Sequence, residues 1–100
     1  MFRPAFALKP SAERPREKFY DTQWWRKNRL RHLRANPICV FADDPQASRD
    51  CLRVATIVDH VKPISAGADP KDMNNWRGLC LVCNAKVTAN YRLTGRNELP

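Results

Sequence analysis

Cys80-Leu-Val-Cys83, with Cys39 and Cys51 upstream, narrows what this chain can fold into more than any other feature. A chain of 100 residues buries only about 60–65% of the surface its unfolded form exposes, so its core is thin without a cross-link or a metal. Two thiolates spaced Cys-x-x-Cys reach one tetrahedral ion from a tight knuckle, although redox motifs share that spacing. Eleven residues separate Cys39 from Cys51, which serves a knuckle only if ADDPQASRD, residues 42–50, loops out between them. From the residues alone three readings stay open. One Zn²⁺ ion is held by Cys39, Cys51, Cys80 and Cys83; or the site is degenerate and has lost its ion; or the thiols are buried and free, or joined as a disulfide. The opening MFRPAFALKP does not read as a signal peptide, and no run approaches membrane-span length. The expected setting is the cytoplasm, with no membrane partner, where thiols stay reduced; that tilts the cysteines toward metal.

Charge is distributed unevenly. The formal net charge is +8, and residues 1–36 hold ten Lys/Arg against Glu13, Glu17 and Asp21. Clustered positive charge points to a polyanion, most often nucleic acid. Residues 1–19, with Pro4, Pro10 and Pro15, read as an extended N-terminal arm. Asp21 is a credible N-cap for a helix over TQWWRKNRLRHLRA that ends near Asn36-Pro37. At 100° per residue Trp25, Leu30 and Leu33 fall on the core side, and Trp24 falls opposite among Lys27, Asn28, Arg31 and Arg34. The basic strip of Lys27, Arg31 and Arg34, flanked by Arg26 and Arg29, is a candidate track for a phosphate backbone. Trp24 either stacks on a base or covers the arm, and His32 reads as a surface residue.

Leu52 to Asp59 alternates as a strand, and a second strand is expected over Trp76 to Leu79. A helix beginning near Leu81 to Asn84 should run to about Tyr91, leaving 92–100 as a frayed C-terminal tail. The folded domain is thus residues 20–91. Within it, TIVDHVKP (residues 56–63) places Asp59 and His60 together at a strand end. Their side chains point to opposite faces, so both cannot hide in one core. His60 is therefore either a core histidine bonded to a nearby backbone carbonyl or a group held for chemistry, in which case its ring should be open to solvent.

Five segments taken together, FYDTQWW (19–25), NPICV (36–40), ATIVDHVKP (55–63), NNWRGLC (74–80) and CNAKVT (83–88), resemble the HNH endonuclease family, the ββα-metal nucleases, and in particular its small phage-type members. The resemblance covers residues 19–90 and implies a small α+β fold. Its core would be a two-stranded β-hairpin plus a helix, joined by an N-terminal basic helix and a structural zinc site. It implies that His60 is the general base, that Asp59 and Asn84 hold a catalytic Mg²⁺ or Mn²⁺ ion, and that Asn75 braces the loop that orients the histidine. Arg53, Lys62, Arg77 and Lys86 would lie nearest the substrate. The implied activity is metal-dependent hydrolysis of DNA phosphodiester bonds, and phage-type members add genome processing or packaging beside terminase subunits.

The chain departs from the family pattern in three places. Ala42 stands where a second cysteine is usual and Cys51 arrives late; Asn84 replaces a frequent histidine; Val87 replaces a frequent lysine. Two competing readings are a zinc-stapled DNA-binding module without catalysis and a bacteriocin-like toxin nuclease.

Overall fold

The two predicted strands pair as one antiparallel hairpin with a helix on each side. A computed structural model describes residues 15–47 and 49–100. In chain order these form α1 (Pro15–Tyr20), α2 (Gln23–Ala35), β1 (Ile57–His60), 3-10 turns at Ile64–Ala66 and Met73–Asn75, β2 (Trp76–Leu79) and α3 (Leu81–Thr94). Strand register pairs Ile57 with Leu79, Val58 with Gly78, Asp59 with Arg77 and His60 with Trp76. The small α+β fold with a ββα core is therefore present.

Register decides what each face carries. Directly paired residues share a face, so Val58, Gly78, His60 and Trp76 line one side, while Ile57, Leu79, Asp59 and Arg77 line the other. Against the first face α2 packs an aromatic core of Phe19, Trp25, Val58 and Trp76, edged by Trp24, Leu33 and Ile64. Trp25 and Trp76 meet edge-on at 5.2 Å, and Trp24 meets Trp76 at 5.8 Å. Each such pair contributes about 0.5–1.5 kcal/mol beyond its buried area. The second face joins Leu79, Val87 and Leu99 to Cys39, Cys80 and Cys83. Gly78 has no room for a side chain, because a Cβ there would lie 2.9 Å from that of Ala55.

Several expectations change. Of the arm expected over 1–19, residues 1–14 lie outside the described residues, and the remainder is not extended: α1 is helical from Pro15. Thr22, not Asp21, caps α2: its hydroxyl oxygen accepts from the Trp25 N–H at 3.1 Å. On α2 the covered stripe is centred on Trp25, and Asn28 is buried while Leu30 is exposed. The large indole rings set the buried face, and Leu30, 140° from Trp25 on the helix wheel, is turned out. Trp24 packs on Trp76 and Phe19 rather than standing among the arginines. His32 also packs edge-on against Trp76, and burial lowers its pKa.

The first strand begins at Ile57 rather than Leu52. Upstream, Val54 forms an isolated bridge with Ile38 rather than with the second strand, and the residue before it, Arg53, is left-handed (φ 70°). The C-terminal segment is tied down: Leu99 is buried, and the buried Asn90 amide donates to the Glu98 carbonyl at 2.9 Å. Among the described residues no helix is long and apolar enough to cross a membrane.

Candidate active site and metal centre

The four cysteines converge. Their sulfurs all lie within 4.8 Å of one another, and Cys39, Cys80 and Cys83 are buried. Cys51 and Cys80 sulfurs are 3.8 Å apart, far beyond a disulfide bond. Four thiolates at ~2.3 Å from a central ion would sit ~3.8 Å from each other in a tetrahedron, so the spacing fits a metal such as zinc.

Local backbone explains how the unusual spacing works. The left-handed turn at Arg53 aims its N–H at the Cys51 sulfur (3.4 Å), and Leu52 aims its own at Cys80 (3.4 Å). Cys80 caps α3 and accepts the Cys83 N–H at 3.3 Å. Burial pushes the Cys80 thiol up, but the Cys83 and Leu52 N–H groups and the neighbouring thiols outweigh it and lower it to about 6. Burial, reinforced by the adjacent sulfurs, pushes Cys83 up. Amide-to-sulfur bonds of this kind favour thiolate, the form that binds metal.

A cleft of about 150 Å³ lies at the loop end of the hairpin, lined by Tyr20, Asp59, His60, Ser65, Thr88, Tyr91 and neighbouring residues. His60 is only 3% exposed. Its ring stacks on Trp25 with centroids 5.5 Å apart and planes inclined by 23°. The expectation that a chemical histidine would be open to solvent is therefore not met. Strand alternation separated Asp59 from His60, but it did not show that α2 covers the histidine face.

Hydrogen bonding fixes the tautomer of the neutral ring. Nε2 lies 3.0 Å from the Pro70 carbonyl, which can only accept, so Nε2 carries the proton. Nδ1 then presents its lone pair to the Tyr20 hydroxyl, 3.3 Å away. The Pro70 carbonyl also accepts from the Trp76 indole at 3.1 Å, which holds the loop in place.

Asn75 grips the loop after His60. Its side-chain oxygen accepts the Lys62 N–H at 2.8 Å and its amide donates to the Lys62 carbonyl at 2.9 Å. Asn97, which the sequence reading left in a frayed tail, donates to the His60 and Val61 carbonyls at 2.8 and 3.0 Å. Asp59 is half-buried and engaged: its Oδ2 accepts from Arg77 Nε at 2.9 Å and Nη2 at 2.8 Å. The cleft thus offers one carboxylate and several hydroxyls, oxygen donors of the type a hard cation takes. Asn84 is half-buried one turn before Thr88 on α3 but does not line the cleft.

The predicted basic contacts divide. Arg26, Lys27, Arg31, Arg34 and Lys62 are exposed, and Arg29 is half-buried. Arg77 is committed to Asp59 and to the Asn97 carbonyl (2.9 Å), and Lys86 to Asp50 at 2.9 Å. Arg53 bonds the Ala42 carbonyl at 2.9 Å. Thr88 and Tyr91 went unnoticed in the sequence although they follow Asn84 by four and seven residues, a helical spacing. Tyr20 gave no signal beyond its place in FYDTQWW, and Asn97 gave none.

Residues 47–90 match the family model described as HNH endonuclease, a segment that holds both strands, the start and middle of α3 and three of the four cysteines. The match supports a nuclease or DNA-binding role with metal binding. No curated protein and no solved structure matches the chain significantly.

Proposed function

We propose that this chain, with its HNH-matching segment at residues 47–90, is a divalent-cation-dependent endonuclease that hydrolyses DNA phosphodiester bonds and is stapled by zinc at Cys39, Cys51, Cys80 and Cys83. The observation that carries the reading is the Nε2–carbonyl bond of His60 to Pro70 inside that segment. It leaves Nδ1 as the basic nitrogen at the edge of a cleft that also holds Asp59. Nδ1 would take a proton from water as its oxygen attacks phosphorus and the 3′ oxygen departs. Asp59 and Asn84 are the residues assigned to hold Mg²⁺ or Mn²⁺, and such an ion, when bound, stabilises charge on the phosphate and leaving oxygen. Asn75 is assigned to brace the histidine loop. Arg26, Lys27, Arg31 and Arg34, with Arg29 and Lys62, are assigned to the phosphate backbone; Arg77 and Lys86 contribute through internal pairs instead. The finer assignment, phage genome processing or packaging beside terminase subunits, rests on the resemblance to phage-type members.

One observation favours a second reading, a zinc-stapled DNA-binding module without catalysis. His60 has both ring nitrogens bonded in an aromatic core, and Asp59 is paired with Arg77. Incubating supercoiled plasmid with the protein in Mg²⁺ or Mn²⁺, in chelator, and with Asn84→Ala separates the two. The nuclease nicks plasmid only with divalent ion and loses rate in Asn84→Ala. A binding module retards DNA in gels under every condition and never nicks it.

A further inference from the structure

We propose that Asn97, beyond the HNH-matching segment, is a positioning residue for His60 that clamps the backbone behind the imidazole; the purpose of the clamp rests on the nuclease reading above. From the His60 carbonyl to the Lys62 carbonyl, every backbone polar group is held by one of two asparagines. Asn75 takes the Val61 N–H on its own carbonyl at 2.8 Å and grips both groups of Lys62 with its side chain. Its bonds therefore begin one residue past the histidine. The carbonyls of His60 and Val61 accept the two amide hydrogens of Asn97, at 2.8 and 3.0 Å. The ring is fixed at Nε2 by Pro70, so a shift of the peptide behind it tilts the imidazole and moves Nδ1.

Asn97 can hold that peptide because its own place is fixed. At the end of α3 the left-handed backbone of Gly95 (φ 77°) turns the chain. The buried Asn90 amide then donates to the Arg96 and Glu98 carbonyls at 3.4 and 2.9 Å, on either side of residue 97. Leu99 belongs to the buried cluster of Cys39, Cys80 and Cys83. The Asn97 carbonyl accepts Arg77 Nη2 at 2.9 Å, and the same guanidinium pairs with Asp59. Residue 97 thus ties the histidine, the cleft carboxylate and the cysteine core into one frame, and it lines the cleft itself. Fastening the C-terminal segment would need only Asn90 and Leu99, whereas the Asn97 amide is directed at the histidine loop. A misplacement of about 1 Å can cost a reaction ~10²-fold in rate, so these two bonds bear on turnover rather than on DNA affinity.

Amide hydrogen exchange, followed residue by residue by NMR on the full chain, tests the clamp without relying on DNA cleavage. Asn97→Ala should speed exchange at Val61 and Lys62 by about tenfold, the local opening that two neutral hydrogen bonds control. Leu52 and Cys83, whose N–H groups bond the Cys80 sulfur, should exchange as in the wild type. In Mn²⁺ the variant should nick plasmid with kcat lowered about tenfold or more and KM unchanged. Unchanged exchange at Val61 and Lys62 in a folded variant overturns the proposal. So does an equal rise at all four amides, the mark of a segment that only stabilises the fold. A local rise with kcat kept, or with the loss confined to KM, also rejects a positioning role. A local rise while neither wild type nor variant nicks DNA upholds the clamp and rejects the nuclease reading. If Asn97→Ala does not fold, Asn97→Gln, which carries both donors one methylene further, should give a smaller local rise and a smaller fall in kcat. No change in either quantity there overturns the clamp.

Discussion

Arg77 shows how much one side chain can organise. Its guanidinium pairs with Asp59 across the hairpin, donates to the Asn97 carbonyl and stands 5.4 Å from the Phe41 ring centre. It so fixes the cleft carboxylate and the C-terminal segment together. Arg77→Met should lower stability by about 2 kcal/mol, less than the ~3–5 of a fully buried broken pair because Asp59 keeps some solvent. The urea midpoint reports it, and adding Asp59→Asn should restore part of the loss; a double variant as unstable as the sum of both singles would contradict the pairing. At this scale much was readable in the sequence: Asp59, His60 and Asn75 stand out from their neighbours, and Asn75 grips Lys62 on both sides. The burial of His60 was not readable. Alternation tells which residues share a face, never which face another element will cover.

Elements were readable where periodicity is simple and misread where backbone detail intervenes. Trp76 to Leu79 was identified with its true limits, since Gly78 and Leu79 both face covered surfaces. Leu52 to Thr56 alternates like a strand yet bends, because Arg53 turns left-handed to serve the Cys51 sulfur. Hydrophobic pattern carries no information about such a turn. Ala55 packs directly on the bare backbone of Gly78, 2.9 Å from where a Cβ would stand. Gly78→Ala should cost about 1–3 kcal/mol by overpacking against Ala55, seen as a lower melting temperature. On α2, Arg26→Ala and Lys27→Ala should weaken binding to unrelated duplexes alike and each reduce the salt slope by about one. A loss confined to one sequence would mean base reading instead.

For the molecule as a whole, the cysteine cluster takes the place that a larger hydrophobic interior would fill. Its convergence was readable in the Cys-x-x-Cys pair but not in the Cys39–Cys51 span, which closes only through the knuckle at residues 51–53. Structural zinc in small domains binds with roughly 10–16 kcal/mol of free energy coupled to folding. The purified protein should therefore carry about one zinc per chain, and a strong chelator, or Cys39→Ser, should collapse its far-ultraviolet circular dichroism. A metal-free protein with an unchanged melting curve would rule out the staple.

Whether this fold cuts DNA through His60 is decided by plasmid relaxation in Mn²⁺ for wild type against His60→Gln. Glutamine is preferable to alanine here because the ring stacks on Trp25 and an empty site would endanger the fold. Both proteins are first matched by circular dichroism and by DNA retardation. Nicked circles from the wild type and none from His60→Gln are the expected result; equal relaxation by the two would remove the histidine from the chemistry.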